Sequence, residues 1–106
     1  MLEMATLRRD SEVEAIMEMS EKQIEALGFT EHSRRHAGIV SKWSGEILRA
    51  LGKDENRIRL AEVAGYLHDI GNCINRKDHA QSGAILAYKI VTRLGMPFSD
   101  AAEIMM

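Results

Sequence analysis

Apolar positions along this chain recur every three or four residues and nowhere alternate as a half-buried strand requires, which predicts an all-α protein of about five helices. The first opens at Ser11, whose hydroxyl can cap it while Glu14 closes the reciprocal box; Val13, Ile16, Met17, Ile24 and Leu27 then form one stripe, ended by Gly28. Thr30 caps a second helix running to Gly52, with Ile39, Val40, Trp43, Ile47, Leu48 and Leu51 expected on its core side. Gly38 and Gly45 lie inside it, each costing roughly 1 kcal/mol relative to alanine, so another helix backbone is expected to pass close to them. A third helix spans about Glu55 to Asp69, is rich in small residues such as Ala61, Ala64 and Gly65, and stops at Gly71.

Asp78 or a near neighbour opens a fourth helix, "HAQSGAILAYKIVTRL", closed by Gly95 and followed by Pro97. Ser99 is expected to cap a fifth. Its sequence, "DAAEIMM", stops short of the roughly 12 residues of a typical helix. The expectation is therefore one domain over residues 1–106, lacking C-terminal helices, with an N-terminal helical segment at 1–29 and the start of a further helix at 96–106.

Composition narrows the classes. The apolar fraction is 45% and the only rings are Trp43, Tyr66, Tyr88, Phe29 and Phe98, so an aliphatic, methionine-rich core is expected, with Trp43 in it. A net charge of −2 with 28% charged residues creates no single-sign field, which argues against nucleic acid or an anionic membrane as partner. No window approaches the roughly 20 apolar residues of a membrane span. The lone Cys73 cannot form an internal disulfide and fits a reducing cytoplasm.

The candidate chemistry lies in four histidines. His32 and His36 stand four apart on one helix and share a face. His68 and Asp69 are adjacent at a helix end, and His79 starts the next helix. If the helices of His36 and His68 pack together, nitrogen donors and a carboxylate converge from three helices, a mixture suited to divalent transition metals. A metal with open positions acidifies water and polarises a phosphoryl oxygen, so hydrolysis of a phosphate ester is the expected reaction. Arg76 and Lys77, just before His79, are placed to steady the phosphate, with help from the N–H groups that open the fourth helix. Lys42 is a weaker candidate.

"AEVAGYLHDIGN", preceded by "HAGIVSKWSGEILRALG" and followed by "HAQSGAIL", resembles the HD superfamily of metal-dependent phosphohydrolases over about residues 30–95. The resemblance implies an all-helical bundle with His36, His68 and Asp69 as metal ligands, His68 and Asp69 forming the catalytic pair. His79 is similar to the extra histidine that binuclear members place on a second metal. The implied cofactor is one or two divalent ions of Mn, Fe, Ni, Zn, Co or Mg, and the implied partner a small phosphorylated substrate such as a nucleotide. Two alignments of the first ligand stay open: Val40 and the Leu51-Gly52 pair favour His36, whereas reading "HSRRHA" as the family's H-x-x-R stretch favours His32. Asn72 stands where the family often has lysine. The family's downstream aspartate is not reached, since Asp100 is too near the pair and Asp78 adjoins His79.

Plainer readings compete. A His-Asp pair at a helix end can serve only the macrodipole and a turn. Arg34, Arg35, Arg76 and Lys77 can be solvated charges. Cys73 reads as a small hydrophobe, not a thiolate ligand. The rival function is a truncated or degenerate module that binds metal or ligand, or forms a homodimer through exposed apolar surface, without turnover.

Overall fold

The computed structural model describes residues 1–28, 33–70 and 79–105, with the backbone alone for 79 and 80. Among the described residues there are six helices and no strand: α1 (Met4–Arg9), α2 (Ser11–Ala26), α3 (Ser33–Ala50), α4 (Glu55–Leu67), α5 (His79–Arg93) and α6 (Phe98–Met105). The all-α expectation holds, with one helix more than expected.

The extra helix is α1, whose six residues are too few to display a period. Its place in the fold comes from Leu7, which is fully buried, and from Arg59 of α4, whose guanidinium donates to the Leu2 carbonyl at 2.7 Å. Its presence also moves the cap of α2. The extended residue before that helix is Asp10, whose carboxylate accepts from the Val13 N–H at 3.1 Å, so Ser11 is already helical and the expected Ser11–Glu14 box gives way to an aspartate cap. Asp54 caps α4 in the same manner, accepting from Arg57 N at 2.9 Å. Ser99 is likewise inside its helix: α6 begins at Phe98, and the Pro97 carbonyl accepts from Ala101 N.

Gly52 and Gly95 end α3 and α5 as expected. Both adopt positive φ, and the paired bonds Gly95 N to Thr92 O and Met96 N to Val91 O close a Schellman turn that Lys53 and Gly52 repeat after α3.

The main departure concerns which face of α3 is buried. Ala37, Ser41 and Gly45, each four residues apart, face α4, while Ile39, Trp43, Ile47 and Leu51 are 46%, 60%, 58% and 65% exposed. Val40 and Leu48 are half-buried. Backbone proximity explains the choice. A Cβ built on Gly65 of α4 would lie 3.1 Å from both N and Cα of Ser41 and 2.9 Å from Ser44 Oγ, a separation that the large residues of α3 would prevent. Ser41 Oγ donates to the Glu62 carbonyl at 2.8 Å across this seam. The close approach expected at Gly45 is to the Glu62 side chain, 2.8 Å from a built Cβ, and Gly38 has no close backbone neighbour, Arg8 being nearest at 3.9 Å.

The core joins Leu7, Val13 and Met17 from the N-terminal helices to Val63, Tyr66, Leu67 and Ile70 around α4, and to Ile90, Val91 and Met96 around α5. It is aliphatic, but Met17 and Met96 are its only methionines among the described residues; Met1, Met19 and Met105 are exposed. Leu27, expected on the buried stripe of α2, is also exposed, because it follows the last helical residue of α2.

Candidate metal centre

Leu67 and Ile70 are 1% and 2% exposed, three residues apart at the end of α4. Burying both holds the intervening His68 and Asp69 at the edge of the core, facing solvent. His68 is the C-cap, with φ −59° and ψ −31°, and its Nδ1 lies 2.7 Å from the Gly65 carbonyl. A carbonyl can only accept, so Nδ1 carries a proton, and Nε2 is the ring nitrogen left to meet a metal ion.

Nε2 faces Asp69. His68 Nε2 is 3.0 Å from Asp69 Oδ2, and His36 Nε2 of α3 approaches the same oxygen at 3.7 Å. The two imidazoles meet edge to face with centroids 5.1 Å apart. One ligand atom from each of His36, His68 and Asp69 lies within 4.8 Å of the others. A neutral imidazole lone pair and a carboxylate oxygen at this separation repel unless a proton or a cation sits between them. Two nitrogens and one oxygen converging on a partly solvated point therefore fit a divalent metal with positions left open. The carbonyl behind His68 is the kind of outer partner that fixes a ligating histidine's tautomer.

Two devices position His36. The Ser41–Glu62 and Gly65–Ser41 contacts set the distance between α3 and α4. At the start of α3 the Glu21 carboxylate of α2 accepts from Arg34 N at 3.1 Å, tying the first described turn of α3 to α2.

Of the residues singled out in the sequence, His36, His68 and Asp69 are brought together. His32, Arg76, Lys77, Asn72, Cys73 and Asp78 lie outside the described residues; His79 opens α5, and its side chain is likewise outside them. Lys42 lines a separate shallow groove with Arg8, Arg35 and Glu46. Sequence reading missed a cavity of about 120 Å³ that is lined in part by the three candidate ligands and runs between α2, the start of α3 and the end of α4. Met17, Ile24, Ala37 and Ile70 supply its apolar wall, with Ser20, Ser33 and Tyr66 as its other polar residues. Burial raises the pKa of the Tyr66 phenol, Arg8 and Arg34 pulling the other way, so it stays protonated at neutral pH. The only hint in the sequence was Ser20, three residues after Met17 on the buried stripe of α2.

No helix among the described residues is long and apolar enough to cross a membrane. The HD domain family matches residues 29–106. An uncharacterized protein of Methanocaldococcus jannaschii is 28% identical over 103 residues, which cover 83% of this chain and 40% of that protein. Ribonuclease Y of Streptococcus sanguinis is 45% identical over 58 residues, or 52% of this chain and 10% of that enzyme. The chain thus spans two fifths or less of the relatives it matches, and no solved structure matches it significantly. With an all-helical bundle, a His-Asp pair closing α4 and a family match over most of its length, this chain belongs to the HD domain family, and so to a superfamily of metal-dependent phosphohydrolases.

Proposed function

We propose that this chain is a metal-dependent phosphohydrolase acting on a small phosphate ester, nucleotides included. The observation that carries the reading is the convergence of His36, His68 and Asp69, in which His68 Nε2 lies 3.0 Å from a carboxylate oxygen of Asp69. These three residues would hold the first divalent ion, and His79 would support a second. The ion, drawn from Mn, Fe, Ni, Zn, Co or Mg, supplies a Lewis acid that polarises a phosphoryl oxygen and acidifies water. The chain's own contribution is positional: Gly65 O holds His68 in the tautomer that presents Nε2, and the seam between α3 and α4 holds His36 opposite. Arg76 and Lys77 would bind the non-transferred phosphate oxygens. The lone Cys73 fits a cytoplasmic protein.

The test is elemental analysis of wild type and Asp69→Ala purified in parallel without chelator, followed by hydrolysis assays on phosphate monoesters with the metal found. Near-stoichiometric metal and activity in wild type, both lost in Asp69→Ala, are expected. Activity retained in His68→Ala or Asp69→Ala would falsify the assignment. Because one relative is named a ribonuclease, an oligoribonucleotide belongs in the same panel.

A second reading, a module that binds metal and self-associates without turnover, is favoured by one observation: the exposed ridge Ile39, Trp43, Ile47 and Leu51 on α3. It requires a homodimer. Sedimentation velocity showing a monomer across a wide concentration range eliminates it.

A further inference from the structure

The cavity beside the three candidate ligands contains a feature that metal binding leaves unexplained. Ser20 is 3% exposed, lines the cavity from α2, and its hydroxyl has no hydrogen-bond partner among the described residues. A serine on a helix ordinarily turns its hydroxyl to the carbonyl four residues back or to solvent. Here Met17 and Ile24, three residues before and four after on the same face, put apolar atoms on both sides of it. Leaving a buried hydroxyl unsatisfied is unfavourable, so a position that retains one calls for a ligand atom to complete it.

Size limits the ligand. The cavity measures about 120 Å³. An apolar cavity of about 150 Å³ takes up benzene, so this one accommodates a single six-membered ring and not a fused pair. Its chemistry limits the ligand further. The wall is mixed, with Met17, Ile24, Ala37 and Ile70 apolar and Ser20, Ser33 and Tyr66 polar, so a ring with apolar faces and a hydrogen-bonding edge suits it.

We infer that the space between Ser20 of α2 and the His36–His68–Asp69 cluster binds a single aromatic ring bearing one hydrogen-bonding edge atom, which Ser20 Oγ recognises. The inference rests on the proposed function in one respect: the ring is the organic part of the phosphate ester whose phosphoryl group lies at the cluster. Met17, Ser20 and Ile24, which lie outside residues 29–106 that carry the family match, form the specificity wall. Ser20 is a specificity residue, not a catalytic one.

The test uses phenol and toluene, rings of equal size that differ in one hydroxyl, titrated by ligand-observed NMR into the full chain after metal removal. Wild type should favour phenol over toluene relative to Ser20→Ala by about tenfold, the size of one buried hydrogen bond. Ser20→Ala should melt no lower than wild type, since it removes an orphan hydroxyl. Ser20→Leu fills the space and should abolish ring binding while metal loading persists. An unchanged phenol-to-toluene ratio in Ser20→Ala, or no ring binding by wild type, overturns the inference. Hydrolysis of phenyl phosphate by the metal-loaded protein is scored separately. If the Ser20-dependent preference stands and hydrolysis fails, the phosphohydrolase reading falls and the ring site remains; if hydrolysis proceeds without any Ser20-dependent preference, only the ring site falls.

Discussion

Two junctions in this molecule are held by different forces. The seam between α3 and α4 is neutral and close: small residues face one another, Gly65 lies against the backbone of Ser41, and one hydroxyl-to-carbonyl bond crosses it. The junction between the end of α5 and the start of α2 is charged and at the surface: the Arg93 guanidinium reaches Asp10 at 2.6 Å and Glu12 at 3.0 Å. Close packing acts only over tenths of an ångström and is indifferent to salt, whereas ion pairs tolerate movement and are screened. The candidate metal ligands hang from the first kind of junction. Their spacing therefore depends on steric fit and little on solution conditions, as a site needing fixed donor atoms requires.

The strongest way to break the contrast is Gly65→Val. Its branched side chain meets backbone atoms that cannot rotate aside, and a loss of about 3 kcal/mol in urea denaturation is expected, with metal affinity falling as well. Ser41→Ala removes the bond to the Glu62 carbonyl and should cost about 1 kcal/mol by the same measurement. Smaller still is Arg93→Gln, which tests the charged junction. Hydrogen bonding to Arg93 holds the Asp10 carboxyl below its usual pKa, so the linked stability is fully present above the ordinary aspartate range and disappears as pH falls through the lowered value. Melting temperatures of wild type and Arg93→Gln should thus differ slightly at neutral pH and converge in acid, and added salt should narrow the gap at neutral pH; a gap that persists in acid contradicts the charged assignment. The smallest effect is expected for Trp43→Gln, on the exposed face of α3, with stability within about 0.5 kcal/mol of wild type.

The helical class, the glycine-closed ends at Gly28, Gly52 and Gly95 and three converging donor residues were legible in the sequence, because periodicity, glycine and a His-Asp pair each reflect local chemistry. The buried face of α3 was not. Apolar size pointed to Trp43 and Ile47, yet the neighbour was selected by how near two backbones could come, and that depends on the partner helix. The expected cap at Ser11 gave way to Asp10 for a related reason: the short helix before it, anchored by Leu7, shifted the boundary by one residue. The cavity was invisible because it arises between three segments distant in sequence, and only the odd polarity of Ser20 on a buried stripe marked it.

Gly65 takes part in both helix spacing and site chemistry: its missing side chain sets the approach of α3, and its carbonyl orients His68. A lesion there has two phenotypes from one cause. Ordinary suppressor mutations, which restore abundance by adding stability elsewhere, would recover the amount of protein but not the placement of the imidazole. In a selection for function, Gly65 variants should therefore stay inactive in stabilised backgrounds that rescue Ser41→Ala, which separates a position that supports the fold from one that also aims the site.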